Sequence, residues 1–122
     1  MAKWVSADVL DGALLVVAEA TRMVAVSGQP LDYVSATAGV LAETALSAAD
    51  FVAGAGAASG RKITVTAKSD VAVTTSGTAD HVALLDEAGS RLLYVTTCPA
   101  QVLTAGGTAN FAAWTIEVGA PF

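Results

Sequence analysis

The chain has 122 residues, the length of one domain, so we expect a single domain over residues 1–122. The net charge is -5 with only 6 Lys and Arg, which argues against nucleic acid as a main partner because phosphate binding needs a basic patch. One Cys excludes an intramolecular disulfide, and together with one His it leaves little for a metal site. We therefore expect no cofactor and no metal. Hydrophobic residues make up 54% of the chain but aromatic residues only 6%, so small side chains must build the core.

Membrane and export signals are weak. The apolar stretch over residues 12–18 is typical of the core of a secretory signal, but Asp8 and Asp11 lie in or beside it and oppose insertion. No window supplies the roughly 20 consecutive apolar residues of a membrane span. We expect a soluble protein made in the cytoplasm, with a reduced thiol at Cys98 and no membrane partner.

The first elements along the chain are a helix and a strand. Residues 6–20 are predicted as a helix, with Ser6 as N-cap and Asp8 in the first turn. The apolar residues of that helix recur three and four positions apart and form one stripe, namely Val9, Leu10, Ala13, Leu14 and Val17. Residues 22–26 are predicted as a strand and residues 27–30 as the loop that ends it.

The segment of residues 31–60 is rich in Ala and Gly and harder to assign. A short helix near residues 32–35 followed by a strand over residues 40–46 is one reading, although Gly39 interrupts a pattern that Ala would otherwise make helical. Residues 47–50 favour one capped turn. Residues 54–60 favour a flexible loop because they contain three glycines.

The second half of the chain has strand periodicity. Alternation of polar and apolar residues predicts a strand over 61–68, a tight turn at Ser69 and Asp70, and a strand over 71–74. Strands over 79–86 and 91–97 are expected to pair antiparallel around a hairpin loop at 86–90, and Pro99 to end the second one. Further short strands are predicted over 102–103 and 110–118, the last with Trp114, Ile116 and Val118 on one face. This spacing predicts a mainly β fold, an antiparallel β-sandwich or partly open barrel with one N-terminal α-helix.

The ionisable residues do not form a recognisable catalytic set. His81 is the only imidazole, and its neighbour Asp80 is expected to point to the opposite face of the strand, where it cannot orient the ring. Cys98 is interpreted as a small, half-buried apolar residue. Asp86 and Glu87 are interpreted as a solvated turn, and the glycines of residues 54–60 lack the spacing and the following helix of a phosphate loop. We therefore predict that the protein is not an enzyme.

The two tryptophans and the few charges point to contacts with other chains. Trp114 lies in an alternating strand and is expected in the core, whereas Trp4 precedes the helix and is the better candidate for docking. Trp4 and Phe122, both large and apolar, are our candidate partner-contact residues. Because monomers seldom expose large apolar patches, a chain with so few charges is expected to hide surface in an assembly.

The sequence resembles small structural proteins encoded in the virion modules of tailed bacteriophages. The resemblance covers nearly the whole chain and is carried by seven segments, namely residues 9–14, 21–24, 27–30, 59–65, 77–84, 92–98 and 114–117. The segment of residues 34–56 departs from it by being richer in Ala and Gly. The resemblance implies a head decoration (cement) protein located on the virion, at the capsid surface. Its implied partners are the major capsid protein and further copies of itself, as a dimer or trimer.

Two other functions stay open. A tail or tail-tip component also uses small β domains, but ring-forming tail proteins need a long β-hairpin and the one around residues 86–90 looks short. An adhesion module would bind a host glycan through the Thr- and Ser-containing loops at residues 74–78 and 104–108, although no exposed aromatic pair is evident.

Overall fold

The computed structural model describes residues 6–56 and 60–119. The fold is mainly β with antiparallel sheets and an N-terminal helix, as predicted, and the sheets do not close into a barrel, which is consistent with a sandwich. The elements in chain order are α1 (Ala7–Val17), β1 (Arg22–Val26), α2 (Tyr33–Ala38), β2 (Val40–Ala45), a 3₁₀ turn (Ala48–Asp50), β3 (Phe51–Ala55), β4 (Arg61–Val65), β5 (Lys68–Ala72), β6 (Gly77–Asp86), β7 (Arg91–Leu103), β8 (Thr108–Phe111) and β9 (Trp114–Val118).

The strands of residues 6–56 and 60–119 form three sheets. The large sheet has the order β2-β1-β6-β7, a three-stranded sheet has the order β3-β4-β9, and β5 pairs with β8. The two central strands of the large sheet are buried on both faces, which explains why they read as continuous apolar runs. Met23 and Leu84 point into the main core between the sheets, whereas Val24 and Leu85 point to a second, smaller core on the other face.

The second core is closed by α2. This helix begins at a capping box in which Asp32 accepts a hydrogen bond from the Ser35 N–H and the Ser35 hydroxyl accepts one from the Asp32 N–H. Ala36 is fully buried and Tyr33 packs beside it against the large sheet. The short helix expected near residues 32–35 is therefore present, slightly further along the chain.

The first helix is shorter than the predicted range of residues 6–20. Ser6 caps it as expected, with its hydroxyl accepting from the Val9 N–H at 3.3 Å. After Val17 the N–H groups of Glu19 and Ala20 bond three residues back instead of four, so the chain tightens and turns. This turn buries Ala20 and leads the chain into β1.

Several strand boundaries differ from the predictions. The strand β3 was not predicted, and its last residues lie where a loop was expected. The expected turn at Ser69 and Asp70 is instead a bulge inside β5, where Asp70 has a φ of 56°. The predicted strand over 110–118 is two strands, because the chain leaves β8 after Phe111 and enters β9 at Trp114.

The hairpin of β6 and β7 is longer than expected. Pro99 does not end β7, which runs from Arg91 to Leu103 along the edge of the large sheet, where a missing N–H can be tolerated. The register shifts between Ala79 and His81, so β7 carries extra residues opposite Asp80. This irregularity shapes the candidate site.

Candidate functional site

A pocket of about 320 Å³ opens between the β6–β7 hairpin and the segment that joins β8 to β9. Its walls come from β1, from both strands of the hairpin and from both sides of the β8–β9 connection. The lining residues are Ala25, Ala79, Val82, Thr96, Cys98, Pro99, Gln101, Leu103, Ala109, Asn110, Phe111, Ala112, Ala113 and Trp114.

Small side chains create the space. Ala25, Ala79 and Ala109 are buried in the main core and line the pocket, so they leave room where Leu or Val would fill it. On the other side Trp114 stacks at a tilt on Tyr94, with ring centroids 5.9 Å apart, and this contact holds the indole at the pocket wall. The irregular stretch of β7 around Pro99 and the break between β8 and β9 keep the pocket open.

The pocket can hold an uncharged, mostly apolar group. None of its lining residues is Asp, Glu, Lys, Arg or His. The polar groups of its lining residues are those of Thr96, Gln101 and Asn110, the Cys98 thiol and the Trp114 indole N–H, which is buried and has no hydrogen-bond partner among the described residues. The Asn110 side-chain oxygen already accepts a bond from the Asp70 N–H at 2.9 Å. The volume is at the lower end of the range for small-molecule sites, which is about 300–1,000 Å³. A single ring or a branched aliphatic side chain fits this chemistry.

The expectation that Asp80 cannot orient His81 is wrong. Asp80 Oδ1 lies 2.7 Å from His81 Nδ1, and the same oxygen accepts from the Gly28 N–H at 2.7 Å. Strict alternation would separate the two side chains, but the register shift at this point of β6 brings them together. The hydrogen bonds from His81 and then from Gly28 lower the pKa of the Asp80 carboxyl.

Cys98 does not have the surroundings of a reactive nucleophile. The thiol is half-buried, and burial raises its pKa, with the nearby negative charge of Asp80 adding to the effect. A raised pKa keeps the sulfur protonated at neutral pH, whereas a nucleophile needs the thiolate. Within residues 6–56 and 60–119 there is also no group of three or more His, Cys, Asp or Glu that could hold a metal ion.

The interpretation of Asp86 and Glu87 as a solvated turn is wrong for Asp86. Asp86 is only 8% exposed, and its Oδ2 accepts from the Arg91 guanidinium at 2.7 and 3.1 Å. Arg91 also binds Glu19 at 2.5 Å, and Glu87 binds Arg22 at 2.9 Å. The hydrogen bonds from Arg91 lower the pKa of Asp86. These pairs fasten the hairpin turn to the end of α1 and to β1, and they lie outside the pocket lining.

Exposed apolar side chains occur on several elements. Leu31 is 87% exposed, Val102 is 76% exposed and Val52 is 56% exposed. The other large exposed apolar residues in the described part of the chain are Val9, Leu15, Val16 and Val34. Trp114 lies half-buried beside the core, with Ile116 and Val118 on the same face of β9, as predicted. Trp4 and Phe122 lie outside the residues that the structure describes, so their docking role stays a prediction.

Sequence reasoning missed the pocket itself. The sequence pattern gives separate interpretations for Cys98 and Trp114 and does not connect them with Phe111 or with the alanines of β1 and β6. The two breaks in pattern, at Pro99 and at Ala112 and Ala113, were the available signal, since both now lie at the pocket.

The chain was compared with known proteins in three ways. No family model matches it, and neither a curated protein nor a solved structure matches it. Among the residues that the structure describes, no helix is long and apolar enough to cross a membrane.

Proposed function

We propose that the protein is a capsid decoration protein, a virion structural protein that binds the outer face of a tailed-phage head and stabilises the major capsid lattice. The observation that carries the proposal is the uncharged apolar pocket beside Trp114 and Phe111. In this proposal the pocket receives an apolar side chain of the major capsid protein. The resemblance of the sequence to phage virion proteins supports a position on the phage head, and the pocket supports an apolar contact with a capsid side chain.

The chemistry of the described residues supports binding rather than catalysis. The Cys98 thiol is the only nucleophile-type group in the pocket besides the Thr96 hydroxyl, and burial raises its pKa. His81, the one imidazole, is not part of the lining and has its Nδ1 beside Asp80. A general base must lie within hydrogen-bond reach of the proton it removes, and no such pair lines this pocket. The acidic net charge of -5 suits a surface away from packaged DNA.

A tail component is the alternative, and the long hairpin bears on it. The strands β6 and β7 pair from Gly77 to Leu103, which is longer than the sequence indicated. However, β6 lies between β1 and β7 inside the large sheet, and its residues Val82 to Asp86 are buried. The hairpin is therefore part of the core and not a free arm that could line a tube, which favours the head over the tail.

The first experiment measures copy number. Quantitative mass spectrometry of purified particles gives the ratio of this chain to the major capsid protein. A ratio near one, or a simple fraction such as a third, supports decoration of the lattice. A handful of copies supports a tail or single-vertex position, and absence from the particles overturns the proposal.

A second experiment tests the pocket. Ala113 is exposed at the pocket, so Ala113→Asp places a charge at an uncharged site without disturbing the core. Ala105→Asp adds the same charge at an exposed position outside the lining and serves as the control. We expect Ala113→Asp to weaken rebinding to depleted particles by about tenfold or more, because a buried unpaired charge costs more than 1 kcal/mol. Equal rebinding of the two variants would rule out the pocket as the contact.

A further inference from the structure

Among the residues that the structure describes, the strand β3 (Phe51–Ala55) differs from the other sheet edges in carrying no charge, proline, bulge or covering segment. Proteins protect edges with charges, prolines, bulges, short strands or covering segments. The edge of β2 is covered, since the Leu41 carbonyl accepts from the Thr74 N–H and Ala42 bridges to Val73. The other described edges each carry a protecting feature, namely Pro99 in β7, Glu117 in β9, the bulge and charges of β5, and the four-residue length of β8.

The sequence of β3 is Phe-Val-Ala-Gly-Ala, with no charge and no proline. It pairs with β4 in uninterrupted register from Phe51 opposite Val65 to Ala55 opposite Arg61. Val52 is 56% exposed, and Ala53 and Ala55 are exposed as well. A straight, uncharged edge with small side chains lets another strand approach closely.

The hydrogen bonds beside β3 define which of its backbone groups are free. Just before the strand, the Asp50 carbonyl accepts from Thr66, and just after it the Gly56 N–H donates to the Gly60 carbonyl. Hydrogen-bonded pairs alternate along an antiparallel ladder, so the even-numbered residues of β3 bond to β4. The N–H and C=O groups of Ala53 and Ala55 and the C=O of Phe51 therefore point away from β4, while the Phe51 N–H donates to the Ala48 carbonyl.

We infer that β3 pairs antiparallel with β3 of a second copy across a two-fold axis at Ala53, giving one continuous sheet in the order β9-β4-β3-β3-β4-β9. The axis at Ala53 places Phe51 opposite Ala55 of the second copy and Val52 opposite Gly54, so a large side chain meets a small one at both positions. Residue 53 is one of those whose backbone faces outward, so this register lets the two Ala53 residues exchange both their hydrogen bonds. Each Ala55 N–H then donates to the facing Phe51 carbonyl.

A second copy fits this edge better than an unrelated strand for two reasons. The first is the size complementarity of β3 with itself, which an isologous contact requires. The second is charge, since two chains of net charge -5 repel, and contact between them is least opposed where charge is absent or paired. The β3 edge satisfies this, because its nearest acidic residue, Asp50, is bound to Lys68 at 2.8 Å.

Two variants are designed to block the pairing while keeping the hydrogen bonds between β3 and β4. Ala53→Pro removes an N–H that points away from β4, so the bonds between β3 and β4 remain. Val52→Lys places one lysine of each copy on diagonal positions that lie about 7–8 Å apart across the axis, which brings like charges to the contact. Val102→Lys is the matched control, because Val102 is an exposed edge-strand valine of the large sheet. Circular dichroism and the thermal midpoint check that each variant is folded.

As a contact between copies of a decoration protein, the β3 pairing rests on the proposed function. Its test uses purified protein without particles, so the pairing and the proposed function can each fail without the other. Sedimentation equilibrium is expected to show a dimer for the wild type and for Val102→Lys, and a dissociation constant raised by about tenfold or more for Ala53→Pro and Val52→Lys. If Ala53→Pro does not fold, the two lysine variants decide. A monomeric or trimeric wild type overturns the inference. A dimer that is unaffected by Val52→Lys, or that Val102→Lys weakens as much as Val52→Lys does, overturns it as well.

Discussion

Asp50 ties the 3₁₀ turn before β3 to the strands that follow, and its charge should contribute measurably to stability. Its Oδ1 accepts from the Thr66 hydroxyl at 2.9 Å and from Lys68 Nζ at 2.8 Å, and its Oδ2 accepts from the Ser47 N–H at 2.9 Å. The hydrogen bond from Lys68 and then the one from Ser47 lower the pKa of Asp50 from 3.8 to about 2.

The shift sets the size of the effect and its pH range. A pKa lowered by about 1.8 corresponds to roughly 2.5 kcal/mol, which we reduce to about 2 kcal/mol because the side chain keeps 15% exposure. Since folding favours the charged carboxylate, the stabilisation is present above the unfolded pKa of 3.8 and is lost as the pH falls through about 2. About half of it remains at pH 3.

Asp50→Asn removes the charge and keeps the shape. We expect the free energy of unfolding, measured with urea, to fall by about 2 kcal/mol at pH 7 and by about 1 kcal/mol at pH 3. Asp70→Asn is the control, because Asp70 is an exposed carboxylate on β5 whose positive φ suits Asn equally well. A loss of stability that is the same at pH 7 and at pH 3 would refute the reasoning, because it would not come from the charge.

Two further predictions concern the core and the thiol. Leu84 is fully buried in β6, so Leu84→Ala should lower the free energy of unfolding, measured with urea, by about 3 kcal/mol. The control is Leu15→Ala, at a residue that is 62% exposed, which should change the free energy of unfolding by less than about 0.5 kcal/mol. Similar losses for the two variants would contradict the packing described. Alkylation of Cys98, the only cysteine, should be slower in the folded than in the unfolded protein. The alkylation rate should rise with pH through a midpoint above the pKa of an ordinary thiol, because burial raises the pKa of Cys98. A midpoint at or below that value would contradict the assignment.

Elements with a strong local pattern could be predicted from the sequence. The strand β1 has the predicted bounds, Arg22–Val26. Its signal is clear because four consecutive apolar residues lie between a turn and the loop of residues 27–30, which contains Gly28 and Pro30. The β6–β7 hairpin was predicted from its turn residues, and the antiparallel pairing is confirmed. In both cases the signal lies within a few residues, so no knowledge of distant partners is needed.

The missed features depend on partners distant in the sequence. The strand β3 consists mostly of residues with weak strand preference, and it forms because β4 supplies a complete ladder. The predicted strand ended at Pro99, because proline lacks the N–H of a ladder hydrogen bond. β7 is an edge strand, however, and can accept a proline. The Asp80–His81 contact depends on a shift in register, and the pocket depends on how five strands meet. Neither follows from the periodicity of a single segment.

The two proposed contacts lie on separate parts of the molecule, which gives a last prediction. In the three-stranded sheet β4 separates β3 from β9, so the dimer edge is two strands away from Trp114 at the pocket. Substitutions at sites without shared partners act independently. We therefore expect Ala113→Asp to leave the dimer dissociation constant within about twofold of wild type, and Ala53→Pro to leave the alkylation rate of Cys98 unchanged. If Ala113→Asp dissociated the dimer, the pocket and the β3 edge would be parts of one interface, and the capsid contact would have to lie elsewhere on the protein.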